Sequence, residues 1–296
     1  MIYNIFIIEN EDIYMEKIKV TCDSTCDLSD KLYNSLDVTV LPLYVMLGDE
    51  QYRDGVDINS ERLSEYTEKT GLLPKSAAVS VGDYVEVFEK YTSQGYKIIH
   101  INISSKISSC YQNACIAAET VGNVFVIDSL NLSSGSGHLV MAAAELASQG
   151  VDAQNIANML NEMKHRLEVS FVIERLDNLY KGGRCSALSA LGANILKLKP
   201  CIEVKNGTMG MSKKFRGGDM EKILLQYVEY KLKDREDIQK NRIFITHTNV
   251  SESIINSVIS QINAFQKFKE IIVTDAGATI GTHCGKGTLG ILFFRK

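Results

Sequence analysis

The sequence lacks the features that mark several classes of protein. Its net charge is −4 over 296 residues, so no global excess of positive charge points to nucleic acid or to an anionic membrane. It contains no P-loop, no G-x-G-x-x-G after a predicted strand, no G-x-S-x-G and no H-E-x-x-H. These absences remove the usual signals for nucleotide binding, α/β-hydrolase chemistry and zinc proteolysis. A Ser-His-acid triad stays open, because its members need not be close in sequence.

The cysteines do not form a recognisable metal or disulfide pattern. There are seven, an odd number, and the only close pairs are Cys22 with Cys26 and Cys110 with Cys115. Neither pair has the spacing of a zinc ribbon or a zinc finger, so no metal site is expected. Free thiols without a disulfide pattern predict a reducing compartment and therefore a cytoplasmic location.

The N-terminal segment has neither the pattern of a signal peptide nor that of a membrane span. Residues 1–8 are apolar but too few to cross a bilayer, and no basic flank precedes them. Acidic residues follow directly. We therefore expect residues 1–16 to be an extension outside the fold, and we expect no transmembrane segment.

Strand-like and helix-like segments alternate over the first half of the chain. Residues 17–22, 97–103 and 123–128 are apolar, β-branched runs typical of buried strands, and helical patterns separate them. This alternation predicts a doubly wound, mostly parallel sheet in an α/β fold. Residues 38–47 are β-prone but contain Pro42, so we expect an edge or bent strand.

The pattern changes near residue 167. Asn206-Gly207 between two β-prone runs predicts a hairpin, and residues 187–196 predict an apolar helix. Hairpin and crossover features together predict a second α/β domain with a mixed sheet. We place an N-terminal domain at 17–166 and a C-terminal domain at 167–296.

Four serines crowd into the turn after the predicted strand 97–103. A helix N-terminus beside such hydroxyls favours an anion. Ser109-x-x-Gln112 and Ser80-x-x-Asp83 fit capping boxes. That assignment leaves Ser108 and Ser76 without a local structural role, although a solvated loop serine is an equally ordinary interpretation of each.

The acidic loop at residues 23–27 has two interpretations. It has the carboxylates and hydroxyls to bind a phosphate or a metal. Alternatively, Asp27 caps the following helix and Asp23 braces the loop through Asx-turn hydrogen bonds. The residues favour the structural interpretation.

Two further segments carry polar groups. Residues 280–287 place His283 in a predicted glycine-rich turn, where glycine permits a close backbone approach, although a lone histidine is more often structural. Residues 197–216 are locally basic, and Arg184 lies in a Lys-Gly-Gly-Arg turn. The basic stretch is either a solvated face or a docking patch for an acidic or phosphorylated partner.

Four motifs, in this order and spacing, resemble the DegV family of bacterial fatty-acid-binding proteins. They lie at residues 23–28, 103–112, 179–184 and 281–287. The resemblance runs from about residue 17 to the C-terminus. It implies two α/β domains with a long-chain fatty acid, such as palmitate or oleate, buried in a tunnel between them. It implies a carrier with no cofactor other than this ligand, used for lipid transport or for presentation to a fatty acid kinase.

The resemblance also assigns roles to individual residues. It implies that the carboxylate is bound by Ser76, Ser108 and His283. Arg184 would add positive charge, and Ser109 would cap the adjacent helix. The residues implied to dock a kinase are Lys213, Lys214 and Arg216. The chain departs from the family pattern at residues 76–80, where Ser-Ala-Ala-Val-Ser replaces the usual Thr-Ser-Gln-Pro-Ser.

Two enzymatic alternatives compete with the carrier hypothesis. A serine esterase or thioesterase would use Ser108 with His283. A phosphotransferase would centre on Asp23 and Asp27, although no nucleotide-binding loop is visible. The carrier hypothesis needs only donors for a carboxylate, because burying that charge without hydrogen bonds is prohibitive.

Overall fold

The computed structural model describes residues 16–174, 176–185 and 198–296, with the side chain of Asp177 left out. The predicted extension therefore lies outside the described residues except for Glu16, and so does the helix predicted over 187–196. The strands are β1 Ile18–Asp23, β2 Thr39–Leu41, β3 Tyr44–Leu47, β4 Glu50–Arg53, β5 Lys75–Ala77, β6 Lys97–Asn102, β7 Val124–Asp128, β8 Leu167–Val172, β9 Leu198–Lys205, β10 Thr208–Arg216, β11 Ile238–His247, β12 Glu270–Asp275 and β13 Leu289–Arg295.

Helices separate most of these strands. The α-helices are α1 Asp30–Ser35, α2 Ser60–Thr70, α3 Val81–Thr92, α4 Cys110–Val121, α5 Ser134–Ser148, α6 Ala153–Met163, α7 Asp177–Lys181, α8 Met220–Leu232, α9 Glu252–Phe265 and α10 Ala278–Cys284. Short 3-10 turns lie at Ser24–Cys26 and Lys164–Arg166.

The first sheet is the predicted parallel one. Its strand order is β2-β1-β6-β7, and each neighbouring pair is parallel. Helices connect β1 to β2 and β6 to β7, as parallel neighbouring strands require. The carboxyl ends of β1, β6 and β7 lead into the acidic loop, the serine-rich turn and residues 129–133, so these loops share one edge of the sheet.

The strand expected over 38–47 is divided into two, and the expected edge position is confirmed for β2, the outer strand of the parallel sheet. The strand is interrupted at Pro42. Strand β2 ends at Leu41 in the parallel sheet, and β3 begins at Tyr44 in another sheet. Proline has no N–H for a sheet ladder, which accounts for the break. Strand β3 pairs antiparallel with β4 and β5 in a small sheet that the sequence did not reveal, and it places Ser76 opposite Val45.

The mixed sheet follows the order β10-β9-β8-β13-β11-β12. Only the pair of β11 and β12 is parallel. The predicted hairpin is confirmed, since β9 and β10 meet at Asn206 and Gly207, whose φ angles are 49° and 83°. Two positive φ angles match the type I′ turn that suits the twist of a hairpin.

Helix α5 joins the two large sheets. It packs against β1 and β6 of the parallel sheet and against β8 and β13 of the mixed sheet. Its residues 134–144 are all buried. A common apolar core results, which holds the carboxyl edge of the parallel sheet close to helix α10 and hairpin β9–β10.

Candidate functional site

A cavity of about 500 Å³ lies at this edge, lined by residues from 43–132 and from 179–284. Its volume falls within the range of small-molecule sites, roughly 300–1,000 Å³. Much of the wall is apolar, and its larger apolar side chains are Leu43, Ile103, Ile107, Leu132, Leu179, Met209 and Ile280. Hereafter this space is called the lipid cavity.

Polar groups also line the lipid cavity. They include the predicted residues Ser76, Ser108, Ser109, Arg184 and His283. Those that sequence reasoning did not assign to the site are Ser105, Lys106, Tyr111, Gln112 and Thr279. The described residues that line it include two cations and no carboxylate, so its electrostatic potential favours an anionic group.

The shortest contact among the predicted residues joins Ser76 and His283. The hydroxyl of Ser76, on β5, lies 2.8 Å from Nε2 of His283. The expectation that His283 lies in a turn is wrong, because it occupies the last turn of α10. Gly285, with φ of 71°, ends that helix. The glycine signal therefore marks a helix end with the imidazole just before it.

The imidazole of His283 is neutral at neutral pH. Burial, and then the nearby charge of Arg184, lower its pKa to about 4. Its Nδ1 is buried and has no hydrogen-bond partner among the described residues. A neutral imidazole keeps one N–H, so Nε2 can donate to the hydroxyl of Ser76 and leave that hydroxyl free to donate to a carboxylate, while the permanent positive charge comes from Arg184.

The capping roles of the serines are partly as predicted. Ser80 and Asp83 form the expected capping box at α3. The capping box assigned to Ser109 is wrong, since its side chain makes no cap hydrogen bond and its φ and ψ of −81° and 0° are not those of a usual N-cap. Instead, the hydroxyl of Ser108 accepts a hydrogen bond of 3.3 Å from the N–H of Cys110.

The other two serines of the turn differ in environment. Ser104 is fully buried, and its hydroxyl donates to the carbonyl of Gly207 at 2.8 Å, which ties the turn to hairpin β9–β10. The same hydroxyl accepts from the N–H of Lys106. Ser105 is exposed, and its N–H donates to Asp128 at 3.1 Å. Both residues therefore shape the loop.

The acidic loop is structural, but not in the way expected. Ser29, rather than Asp27, caps the following helix. Asp27 instead accepts from the N–H of Gly277 at 2.8 Å, and Asp54 accepts from the N–H of Ala278 at 2.7 Å. These N–H groups begin helix α10, so two acidic side chains from the first part of the chain hold the helix that carries His283.

Asp23 is also fully occupied by hydrogen bonds. It is buried and accepts from the hydroxyl of Tyr84 at 2.8 Å, the amide of Asn102 at 3.1 Å and the N–H of Ile103 at 2.9 Å. A carboxylate held by this many donors serves the loop rather than a transferred phosphate. The Asx-turn role expected for Asp23 is replaced by contacts with residues distant in sequence.

The predicted docking residues lie away from the lipid cavity, on β10. This strand forms an edge of the mixed sheet, and Lys213, Lys214 and Arg216 are exposed on it. Lys213 lies over the ring of Tyr230, with Nζ 4.2 Å from the centroid. Within the described ranges no ion pair neutralises any of the three. Their charge is therefore available to a partner, although lysines on an edge strand also discourage strand pairing.

The fold and the cavity define an α/β protein with a largely apolar binding space and a polar, anion-favouring lining. A family model described as "Uncharacterised protein, DegV family" matches residues 17–296. A DegV domain-containing protein of Clostridium acetobutylicum is 35% identical over 285 residues, which covers 95% of this chain and 100% of that protein. This chain belongs to the DegV family.

Solved structures agree with this assignment. A Thermus thermophilus structure described as fatty acid binding of a DegV family protein has a TM-score of 0.85 and 27% identity, covering 95% of this chain and 100% of that one. DegV of Bacillus subtilis, described as a fatty acid binding protein, has a TM-score of 0.78 and 27% identity, with the same coverage. The two-sheet α/β architecture predicted from the sequence is thereby confirmed.

No cluster of three or more histidine, cysteine or acidic side chains with metal-binding geometry occurs in the ranges that the structure covers. Among the helices that it describes, none combines the length and the apolar character that crossing a bilayer requires.

Proposed function

We propose that this protein binds a long-chain fatty acid in the lipid cavity and acts as a carrier rather than a catalyst. The observation that carries the proposal is the Ser76–His283 pair, set with Ser108 in an otherwise largely apolar cavity whose described lining has no carboxylate. The Thermus thermophilus and Bacillus subtilis relatives are described as binding fatty acids, which supports the same ligand here.

The carboxylate is assigned to the polar residues of the cavity. Ser76 and Ser108 supply hydrogen bonds, His283 supports Ser76 through Nε2, and Arg184 supplies positive charge from the rim. Hydrogen bonds to a charged group are worth about 1.5–3 kcal/mol each. The alkyl chain is assigned to the apolar wall, where a chain of about sixteen carbons gains roughly 10 kcal/mol before ordering costs.

The hydrolase alternative has less support than the carrier. It requires Ser108 beside His283, but His283 contacts Ser76, and the hydroxyl of Ser108 is directed to the N–H and the thiol of Cys110. A histidine whose pKa lies at about 4 is a poor general base at neutral pH. The fatty-acid-binding descriptions of the solved relatives agree with a carrier.

The finer parts of the proposal concern location and partner. We place the ligand in a tunnel between domains at 17–166 and 167–296, in a cytoplasmic protein that transports lipid or presents it to a fatty acid kinase.

Docking of the kinase through an acidic surface is supported by the exposed, unpaired cations Lys213, Lys214 and Arg216. Reversing these three charges should slow phosphorylation by such a kinase while fatty-acid binding is retained. An equally slow phosphorylation in a control variant changed at uncharged surface residues would show that these three cations do not dock the kinase. Unchanged phosphorylation in the charge-reversed protein would show the same.

Mass spectrometry tests the binding proposal. Protein purified from bacterial cells and sprayed under native conditions should carry a co-purifying long-chain fatty acid. After delipidation it should take up palmitate or oleate again. If neither is observed, the carrier proposal is wrong. Labelling of Ser108 or Ser76 by a fluorophosphonate probe, together with turnover of an acyl ester, would favour the hydrolase instead.

A further inference from the structure

A second cavity lies beside the loop that follows β7. It has a volume of about 390 Å³ and is bounded by residues 130–131 after β7, by residues 164–169 and by the end of β9. The N–H of Ser104 donates to the carbonyl of Asn131 at 2.8 Å, so the turn that borders the lipid cavity also supports this wall. We call this space the polar cavity. It shares no lining residue with the lipid cavity.

Its charged side chains are organised around two carboxylates. Buried Lys231 contacts Glu168 at 2.6 Å and Glu203 at 3.0 Å. Arg235 makes a paired contact with Glu168 at 2.8 and 2.9 Å, and Lys205 contacts Glu203 at 2.7 Å. Burial alone would raise the pKa of Glu203, but hydrogen bonds from the two lysines outweigh it and bring the pKa to about 2. Both carboxylates are therefore ionised and fully engaged.

The positive charges exceed these carboxylates. Two of the described lining residues are anionic and four are cationic, the cations being Lys164, Lys205, Lys231 and Arg295. The last three each lie within 4.0 Å of Glu168 or Glu203. Lys164 does not. Its Nζ donates to the neutral side chain of Asn161 at 2.7 Å, and no ion pair involves it in the described part of the chain.

Half-buried Lys164 has no charged group among the described residues at contact distance to offset its burial. Burial lowers the pKa of its ammonium group, and the charge of Asp128 opposes this only in part. A bound anion would therefore stabilise the charged form of Lys164.

We propose that the polar cavity binds a small organic anion, whose carboxylate or phosphate group pairs with Lys164. The volume suits a small metabolite rather than a second acyl chain, since the charged lining would leave buried ions beside a hydrocarbon. This site does not depend on the lipid cavity, and its ligand is of a different chemical class from a fatty acid.

Calorimetric titration of the full-length protein tests the proposal. Inorganic phosphate and succinate are titrated separately at matched ionic strength, into the parent protein, Lys164→Gln and the control Lys240→Gln. Lys240 is an exposed lysine that does not line the polar cavity, so both variants lose the same charge. Saturation by phosphate, weakened at least about tenfold in Lys164→Gln alone, supports a phosphate ligand. The same result with succinate supports a carboxylate ligand.

Two outcomes would overturn the proposal. One is the absence of saturation by either anion in the millimolar range. The other is equal weakening in both lysine variants, which would indicate general screening of charge. Amide chemical shifts give a second readout, since saturation should perturb residues 129–131 and 164–169. Native mass spectrometry of the same samples reports the bound fatty acid separately, so failure of this site and failure of the lipid site are distinguishable.

Discussion

Gly182 lies directly against the imidazole of His283. A Cβ at Gly182 would be 2.5 Å from Nδ1 of His283, closer than real side-chain contacts allow. Its φ is −67°, which every residue adopts, so the space beside the imidazole requires this glycine. Gly183 differs, because its φ of 68° lies in the left-handed region and no atom would crowd a Cβ there. In the Lys-Gly-Gly-Arg motif, the first glycine is therefore required by the closeness of His283, and the second is favoured by its positive φ.

Gly182→Ala should weaken fatty-acid binding. The added methyl must displace the imidazole that contacts Ser76, and overpacking of this kind costs about 1–3 kcal/mol. Gly218→Ala is a matched control, because a Cβ there would meet no atom within 4 Å. Titration of delipidated proteins with a fluorescent fatty acid measures the difference. Equal affinities in the two variants would mean that the position of His283 does not govern binding.

Ser108→Ala should affect both ligand affinity and stability. It removes a proposed carboxylate donor, worth about 1.5–3 kcal/mol, and the hydroxyl that accepts from Cys110 at the start of α4, worth about 0.5–2 kcal/mol. Ser109→Ala is the control, since Ser109 makes no cap hydrogen bond. Calorimetric titration and urea unfolding separate the two effects. A stability loss without an affinity loss would leave Ser108 as a cap only.

Asp27→Asn should change how stability depends on pH. Burial is the main cause that raises the pKa of Asp27, to about 8 from 3.8, and Ser133 and Gly277 oppose it only in part. Between these values the folded protein keeps a proton that the unfolded chain releases. The free energy of unfolding therefore falls as pH rises, by at most about 1.4 kcal/mol per pH unit, and asparagine abolishes this contribution.

Urea unfolding from about pH 5 to about pH 9 measures this difference between parent and variant. Asp57→Asn serves as the control, because hydrogen bonds from Arg53 lower the pKa of exposed Asp57 and its titration falls below this range. The parent should lose stability relative to Asp27→Asn up to about pH 8 and run parallel to it above. Parallel curves over the whole range would show that Asp27 is already ionised in the folded protein.

The structural features that depend on a few adjacent residues could be predicted from the sequence. The Ser80–Asp83 capping box and the Asn206-Gly207 hairpin each depend on a few adjacent residues, and both are confirmed. The cap predicted at Ser109 for α4 is wrong, and the hydroxyl of the preceding residue, Ser108, accepts the hydrogen bond there. There the backbone of Ser109 lacks the extended conformation of a usual N-cap, a consequence of the turn that precedes it rather than of residue type.

Contacts distant in sequence account for the features that were missed. Asp27 and Gly277 are 250 residues apart, and Ser76 and His283 are 207 apart. No spacing rule links such pairs, so the anchoring of α10 by the acidic loop could not be predicted. The resemblance to a family grouped Ser76 with His283, whereas residue patterns alone supplied only two serines without a local role.

The buried hydroxyl of Ser104 links the two large sheets at this edge, and a substitution at Ser104 measures how much that link stabilises the fold. It donates to Gly207 and accepts from Lys106, and a Cβ at Gly207 would lie 2.6 Å from it. Ser104→Ala leaves a buried carbonyl and a loop N–H without this partner, at a cost of about 1–3 kcal/mol. Ser105→Ala, one residue on and exposed, should change stability by less than about 0.5 kcal/mol. Urea midpoints compare the two, and equal midpoints would mean that water replaces Ser104 without loss. Because Ser104 ties the turn that lines the lipid cavity to hairpin β9–β10, a real loss should be accompanied by weaker fatty-acid binding.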